Sequence, residues 1–156
     1  MIKLLRIDHR LLHGQVIFSW CKALQITRII VIDDDSANNE FKKMSLNLTK
    51  PPEIKLNIFT VDAAISKMDK IENLSDNVMI IFGGTNSTLR FCEQYPNIKE
   101  INYGGIAKKD NSKQFSTAIF LNDSEIEDSR KLKDIGIYLY MQQVPTSRKE
   151  DLNPKL

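Results

Sequence analysis

The chain places both of its histidines, two arginines and an aspartate in one short stretch, Arg6-Ile7-Asp8-His9-Arg10-Leu11-Leu12-His13-Gly14-Gln15. An imidazole beside a guanidinium suits phosphoryl chemistry: a neutral ring nitrogen attacks phosphorus while N–H donors hold the oxygens. His13 fits the first role. Arg10 fits the second, because its planar fork matches two oxygens at once. Gly14 removes side-chain bulk where a phosphate approaches the backbone. A helix opening at Gly14 would aim the free N–H groups around Gly14 and Gln15 at the same spot. His9 stands four residues before His13, which on a helix is a metal-ligand spacing. In a strand-to-loop turn with no third ligand, it is expected to be a solvated histidine near the pocket that tunes His13 by proximity. No metal is expected.

These residues need a scaffold, and the apolar pattern provides one. Residues 2–7, 26–32, 55–60, 77–82, 98–103, 115–121 and 137–142 read as strands. Residues 14–24, 36–48, 61–71, 87–94 and 124–135 read as helices between them. Alternation of this kind means βαβ units. The expected fold is a single α/β domain with an open, mainly parallel sheet of about seven strands and helices on both faces. Right-handed crossovers gather the strand ends on one edge, where open α/β sheets bind ligands. Other strand ends at that edge supply candidate pocket residues: Asp34 within Asp33-Asp34-Asp35, and the pairs Gly83-Gly84 and Gly104-Gly105. The acidic run is expected to cap a helix in preference to holding magnesium. Arg6, inside the first strand, is expected to face an edge or pair with a carboxylate, since a lone buried charge is costly. The polar segment 145–156 is expected to be peripheral.

Composition narrows the classes. The 156 residues suit one domain, and 42% hydrophobic residues argue against disorder. A net charge of +2 is too balanced to argue for a nucleic-acid partner. Cys21 and Cys92 form no CxxC and read as buried, reduced thiols. Charged residues interrupt the first apolar run before a leader pattern forms, and no run nears the ~20 residues of a membrane span. The expected location is the cytoplasm.

The stretch from Arg6 to Val16 resembles the R-I-D-x-R-L-[IL]-H-G-Q-V signature of the mannose/fructose/sorbose-type IIB components of the bacterial sugar phosphotransferase system. Trp20, Asp33-Asp34-Asp35-Ser36-Ala37-Asn38, Asn102-Tyr103-Gly104-Gly105 and Val144-Pro145 extend the resemblance over nearly the whole chain. It implies one IIB-type phosphocarrier domain over residues 1–156. His13 would accept a phosphoryl group, through Nδ1, from a phosphohistidine on a IIA protein. It would then pass the group to a sugar moved by membrane IIC/IID subunits, with which the chain would associate peripherally. Arg10 is implied to bind the phosphate, and Asp8 to lie close to the histidine as an orienting or tuning group of the same loop. No cofactor is implied, and a homo-oligomer is compatible with the pattern. The chain departs from many members at His9 and Ser147, where they have aspartate. Two other classes stay open on the residues alone. One is a phosphohistidine-dependent phosphatase or mutase, which needs a further acid on another loop. The other is a non-catalytic metabolite-binding domain whose glycine turns hold a nucleotide.

Overall fold

Apolar β-branched runs bounded by polar residues become strands buried on both faces, the pattern of a parallel sheet covered by helices. The computed structural model describes residues 1–156. In chain order the elements are β1 (Ile2–Asp8), α1 (Gly14–Leu24), β2 (Arg28–Ile32), α2 (Asp34–Ala37), α3 (Glu40–Thr49), β3 (Lys55–Phe59), α4 (Val61–Glu72) and β4 (Val78–Phe82). They continue with α5 (Thr85–Gln94), β5 (Glu100–Gly105), β6 (Lys113–Ser116), β7 (Ile119–Leu121), α6 (Asp123–Asp134), β8 (Tyr138–Met141) and β9 (Glu150–Asp151). Seven strands form one sheet in the order β3-β2-β4-β1-β5-β8-β9. Neighbours run parallel except β9, which is antiparallel to β8.

Side chains alternate across the sheet with period two. Leu4, Ile29, Val31, Met79 and Ile81 point to the face covered by α1 and α3, where they meet Ile17, Trp20, Cys21 and Leu46. Leu5, Ile7, Ile30, Ile32, Ile80 and Phe82 point to the opposite face, against residues of α4, α5 and α6. From β1 the chain moves to β2; from β4 it crosses past β1 to β5. The loops leaving β1 and β4 therefore diverge to opposite faces and leave a crevice at the carboxyl ends of the strands. β1 lies between β4 and β5, in the middle of the sheet. No helix is long and apolar enough to cross a membrane.

Three sequence expectations are corrected. Residues 115–121 are not a strand of the main sheet. They belong to the antiparallel hairpin β6–β7, which turns at Thr117-Ala118 and is joined to the residue after β5 by a bridge from Ile106 to Ile119. Residues 36–48 are not one helix. The Asp33 side chain accepts from the Ser36 N–H and starts α2; the Asn39 side chain accepts from the Lys42 N–H and starts α3. Each side-chain oxygen satisfies an orphan helix donor, so each begins a separate helix. The segment 145–156 is not peripheral. Leu152 is fully buried, and Asn153 exchanges hydrogen bonds with the Leu139 N–H and the Ile137 carbonyl. The seventh strand of the sheet is β9, supplied by this segment.

Candidate active site

β1 ends on Asp8, whose carboxylate is 1% exposed. Its Oδ1 accepts from the Arg10 backbone N–H at 3.0 Å and from Arg10 Nε at 3.4 Å. The Leu11 N–H bonds the Asp8 carbonyl, and the His9 N–H bonds the Gly105 carbonyl of β5, both at 2.9 Å. Leu11 takes φ 60, a left-handed conformation that costs a branched residue about 1–2 kcal/mol. Burial of Leu11 and Leu12 in the α1-side core offsets that cost. Two anchored leucines thus hold the turn and lift His13 out of it.

His13 is exposed and extended (φ −139, ψ 102) at the start of α1. Its carbonyl accepts from the Ile17 N–H, and its ring forms no capping bond. The N–H groups of the first helical turn, from Gly14 onward, have no carbonyl within the helix to bond. Gly14 has φ 39, which a glycine adopts without a Cβ penalty. An exposed imidazole therefore stands beside free backbone donors at the positive end of a helix.

Arg10 supplies the fork. Its side chain is one-third exposed and tied to Asp8 through Nε. One Nη reaches over Gly105, where a Cβ would lie 3.2 Å from it and 3.1 Å from Asp8 Oδ1. Glycine is what allows the guanidinium this close to the strand. Asp8 thus bonds Arg10 and Arg6; no hydrogen bond joins it to His13.

Arg6 is the residue that sequence reasoning left without a role. It does not face an edge: it lies in the central strand, 1% exposed, on the Trp20 side. The expected carboxylate partner is Asp8, at 3.0 Å from Nη2. Nη1 donates to Asn102 Oδ1 at 2.6 Å and to the Gln142 carbonyl at 3.2 Å. A Cβ on Gly104 would sit 2.0 Å from Cζ, inside the guanidinium. Burial lowers the Arg6 pKa from the usual arginine value, and the charge and hydrogen bond of Asp8 oppose that. The signal available in the sequence was a cation inside an apolar strand with an aspartate at i+2, on the same face.

The remaining candidates divide. His9 and Gly83 line a cleft of about 340 Å³ with Leu11, Asp33, Ser36 and Lys42. Burial lowers the His9 pKa; Asp8 raises it, and Arg10, Lys109 and His13 lower it further. Asp34 is not in this cleft. Its carboxylate accepts from the Val61 N–H and from Arg90, tying α2 to α4 and α5. Gly84 begins α5 and lies outside the cleft as well. Gly104 lines a separate cleft of about 260 Å³ with Ser116, Gln142 and Ser147. Gln15 is exposed in the first turn of α1. No three His, Cys, Asp or Glu side chains converge as metal ligands.

Comparison with known proteins identifies the family. Residues 2–156 match the model of the PTS system sorbose subfamily IIB component. The chain is 30% identical over 155 residues to the sorbose-specific EIIB component of Klebsiella pneumoniae, covering 99% of this chain and 94% of that protein. It is 32% identical over 149 residues to the mannose-specific EIIAB component of Escherichia coli K12, covering 96% of this chain and 46% of that longer protein. The crystal structure of the IIBSor domain of the Klebsiella pneumoniae sorbose permease superposes with a TM-score of 0.91 at 30% identity, covering 99% of this chain and 95% of that one. The N-acetylgalactosamine-specific IIB component 1 of Escherichia coli gives 0.90 at 26% identity, covering 97% and 99%. A match running from the β1 loop through the buried tail, in sequence and in three dimensions, makes the chain a member of the sorbose subfamily of phosphotransferase-system IIB components.

Proposed function

We propose that His13 is the residue through which this chain, a phosphoryl carrier of a sugar phosphotransferase system, accepts its phosphoryl group and hands it on. An exposed imidazole at the N-terminus of α1, three residues after an arginine anchored by its Nε, carries this reading. In the first step a neutral His13 nitrogen attacks the phosphorus of a phosphohistidine on a IIA donor. The new N–P bond forms as the donor's N–P bond breaks, and the donor imidazole leaves with the electron pair. The family resemblance points to Nδ1 as the attacking atom. In the second step a sugar hydroxyl attacks the same phosphorus. The His13 N–P bond breaks, the ring nitrogen recovers its electron pair, and the hydroxyl proton ends on the imidazole, restoring its neutral form. The free Nη of Arg10 and the N–H groups of Gly14 and Gln15 neutralise the phosphoryl oxygens in both steps. Too tight a grip would stall the second transfer, so exposure of the ring serves the carrier role.

The donor is a IIA protein, a reading supported by the relative named EIIAB, in which IIA and IIB share a chain. The acceptor is a sugar presented by membrane IIC/IID subunits, and residues 1–156 act as one cytoplasmic domain docking there. The test is to incubate the chain with labelled phosphoenolpyruvate, the two general transfer proteins and a mannose-type IIA. Acid-labile, base-stable label is expected on the wild type and absent from His13→Ala. Label that persists on His13→Ala overturns the assignment.

A further inference from the structure

We propose that Arg6 is a positioning residue for phosphoryl transfer: it fixes the Asp8 carboxylate so that Asp8 fixes the Arg10 fork. The proposal rests on the reading of Arg10 as the phosphate binder. A guanidinium in the middle of a parallel sheet is costly, and an apolar side chain of similar volume would fill the same space over Trp20. What the charge does there is visible in its bonds. Arg6 takes Oδ2 of Asp8, which leaves Oδ1 for the backbone and Nε of Arg10. The partition of the two oxygens sets the direction from which Asp8 pulls on Arg10. A long, flexible side chain, one-third exposed, is thereby held with one nitrogen already committed to Asp8.

The other end of Arg6 is held as firmly. Asn102 accepts from Nη1 and donates to the Gln142 carbonyl at 3.0 Å, and Arg6 bonds that same carbonyl. Gln142 in turn donates to the Pro145 and Ser147 carbonyls, closing the loop after β8. Trp20 Nε1 donates to the neighbouring Gln143 carbonyl. Adjacent glycines make room for both arginines: Gly104 lies against Arg6 and Gly105 against Arg10. A continuous line of hydrogen bonds therefore runs from the loop after β8, through Asn102, Arg6 and Asp8, to Arg10.

A purely structural bridge would hold the same loop without touching transfer, and a double-mutant cycle separates the two roles. Transfer from a phosphorylated IIA to His13 is followed by quench-flow in the wild type, Arg6→Met, Arg10→Ala and the double variant, with circular dichroism reporting folded protein. Loss of one aimed charge-assisted hydrogen bond predicts that Arg6→Met slows transfer about 10- to 100-fold while label still reaches His13. In the Arg10→Ala background the same change is expected to cost less than about threefold, because the fork it positions is gone. An equal cost in both backgrounds, or an unchanged rate per folded molecule, overturns the proposal. Should Arg6→Met fail to fold, Asn102→Leu keeps the charge and removes its anchor. It is expected to slow transfer less than Arg6→Met would, and again only where Arg10 is present; equal slowing with and without Arg10 overturns the proposal. An Arg10→Ala variant that transfers at the wild-type rate removes the phosphate-binding reading itself. A slowed Arg10→Ala with an independent Arg6 effect removes only the present inference.

Discussion

The loops after β1 and β2 open on the same edge of the sheet and draw on the same residue types, yet they do different work. Asp8 pairs with two arginines, and its partner Arg6 is 1% exposed like itself. Asp34 pairs with one arginine, and both members are exposed, at 44% and 40%. Asp8 is the last residue of its strand and lies against Gly105 of β5; Asp34 lies past its strand, in the first turn of α2. In the interior a charge pair is strongly coupled, and breaking one side leaves the other stranded. Near water the same pair is worth about 0–1 kcal/mol. Burial thus turns an ordinary ion pair into a fixture that can aim a third group, while exposure leaves it a tie between helices.

The contrast breaks most visibly at the chemistry. His13→Ala is expected to abolish acid-labile phosphate on the chain, whereas Asp34→Asn is expected to take up label at the wild-type rate in the same assay. A marked loss of transfer in Asp34→Asn would place both loops in the site. Stability comes next. Asp8→Asn leaves the buried Arg6 cation without its counter-charge and is expected to lower the unfolding free energy by about 3–5 kcal/mol, read from urea denaturation. Gly104→Ala follows, since its methyl would occupy the space of the Arg6 guanidinium. Overpacking of this kind costs about 1–3 kcal/mol, and the displaced Arg6 should slow transfer while Gly84→Ala, where a Cβ meets nothing, leaves transfer unchanged.

The smallest effect belongs to the exposed pair. Asp34→Asn is expected to cost no more than about 1 kcal/mol, by the same denaturation measurement. Its pH dependence has a definite sign. The hydrogen bond from Arg90, and then the one from the Val61 N–H, hold the Asp34 carboxyl below the usual carboxylate range. A lowered folded pKa contributes stability that is complete above the unfolded value of about 3.9 and is lost as pH falls through the folded value. The gap between wild type and Asp34→Asn should therefore be constant near neutrality and close in acid. A gap that widens in acid would reverse this assignment.

The strands of the sheet's centre were legible because burial on both faces demands continuous apolar runs such as Ile29–Ile30–Val31–Ile32. The hairpin β6–β7 was not. Residues 115–121 carry enough apolar side chains for a strand, and the turn at Thr117-Ala118 lacks the glycine or asparagine that marks a tight hairpin. The tail was misread for a related reason. Leu152 and Leu156 are isolated apolar residues among polar ones, and a two-residue edge strand leaves no periodicity to detect.

What the sequence by itself determined is the local chemistry: a histidine ahead of a glycine-opened helix, an arginine nearby, and alternating elements that set them at a sheet edge. Those features depend on neighbours in the chain, so periodicity and residue type reveal them. Only the tertiary structure decided how Arg10 is held. Arg6 meets Asn102 across β1 and β5, Gly104 and Gly105 yield the space for two guanidinium groups, and the Gln142 carbonyl closes the line from β8. Such bonds join residues far apart in sequence, and the low dielectric of the interior gives them their strength; neither distance in space nor depth of burial is written in local order.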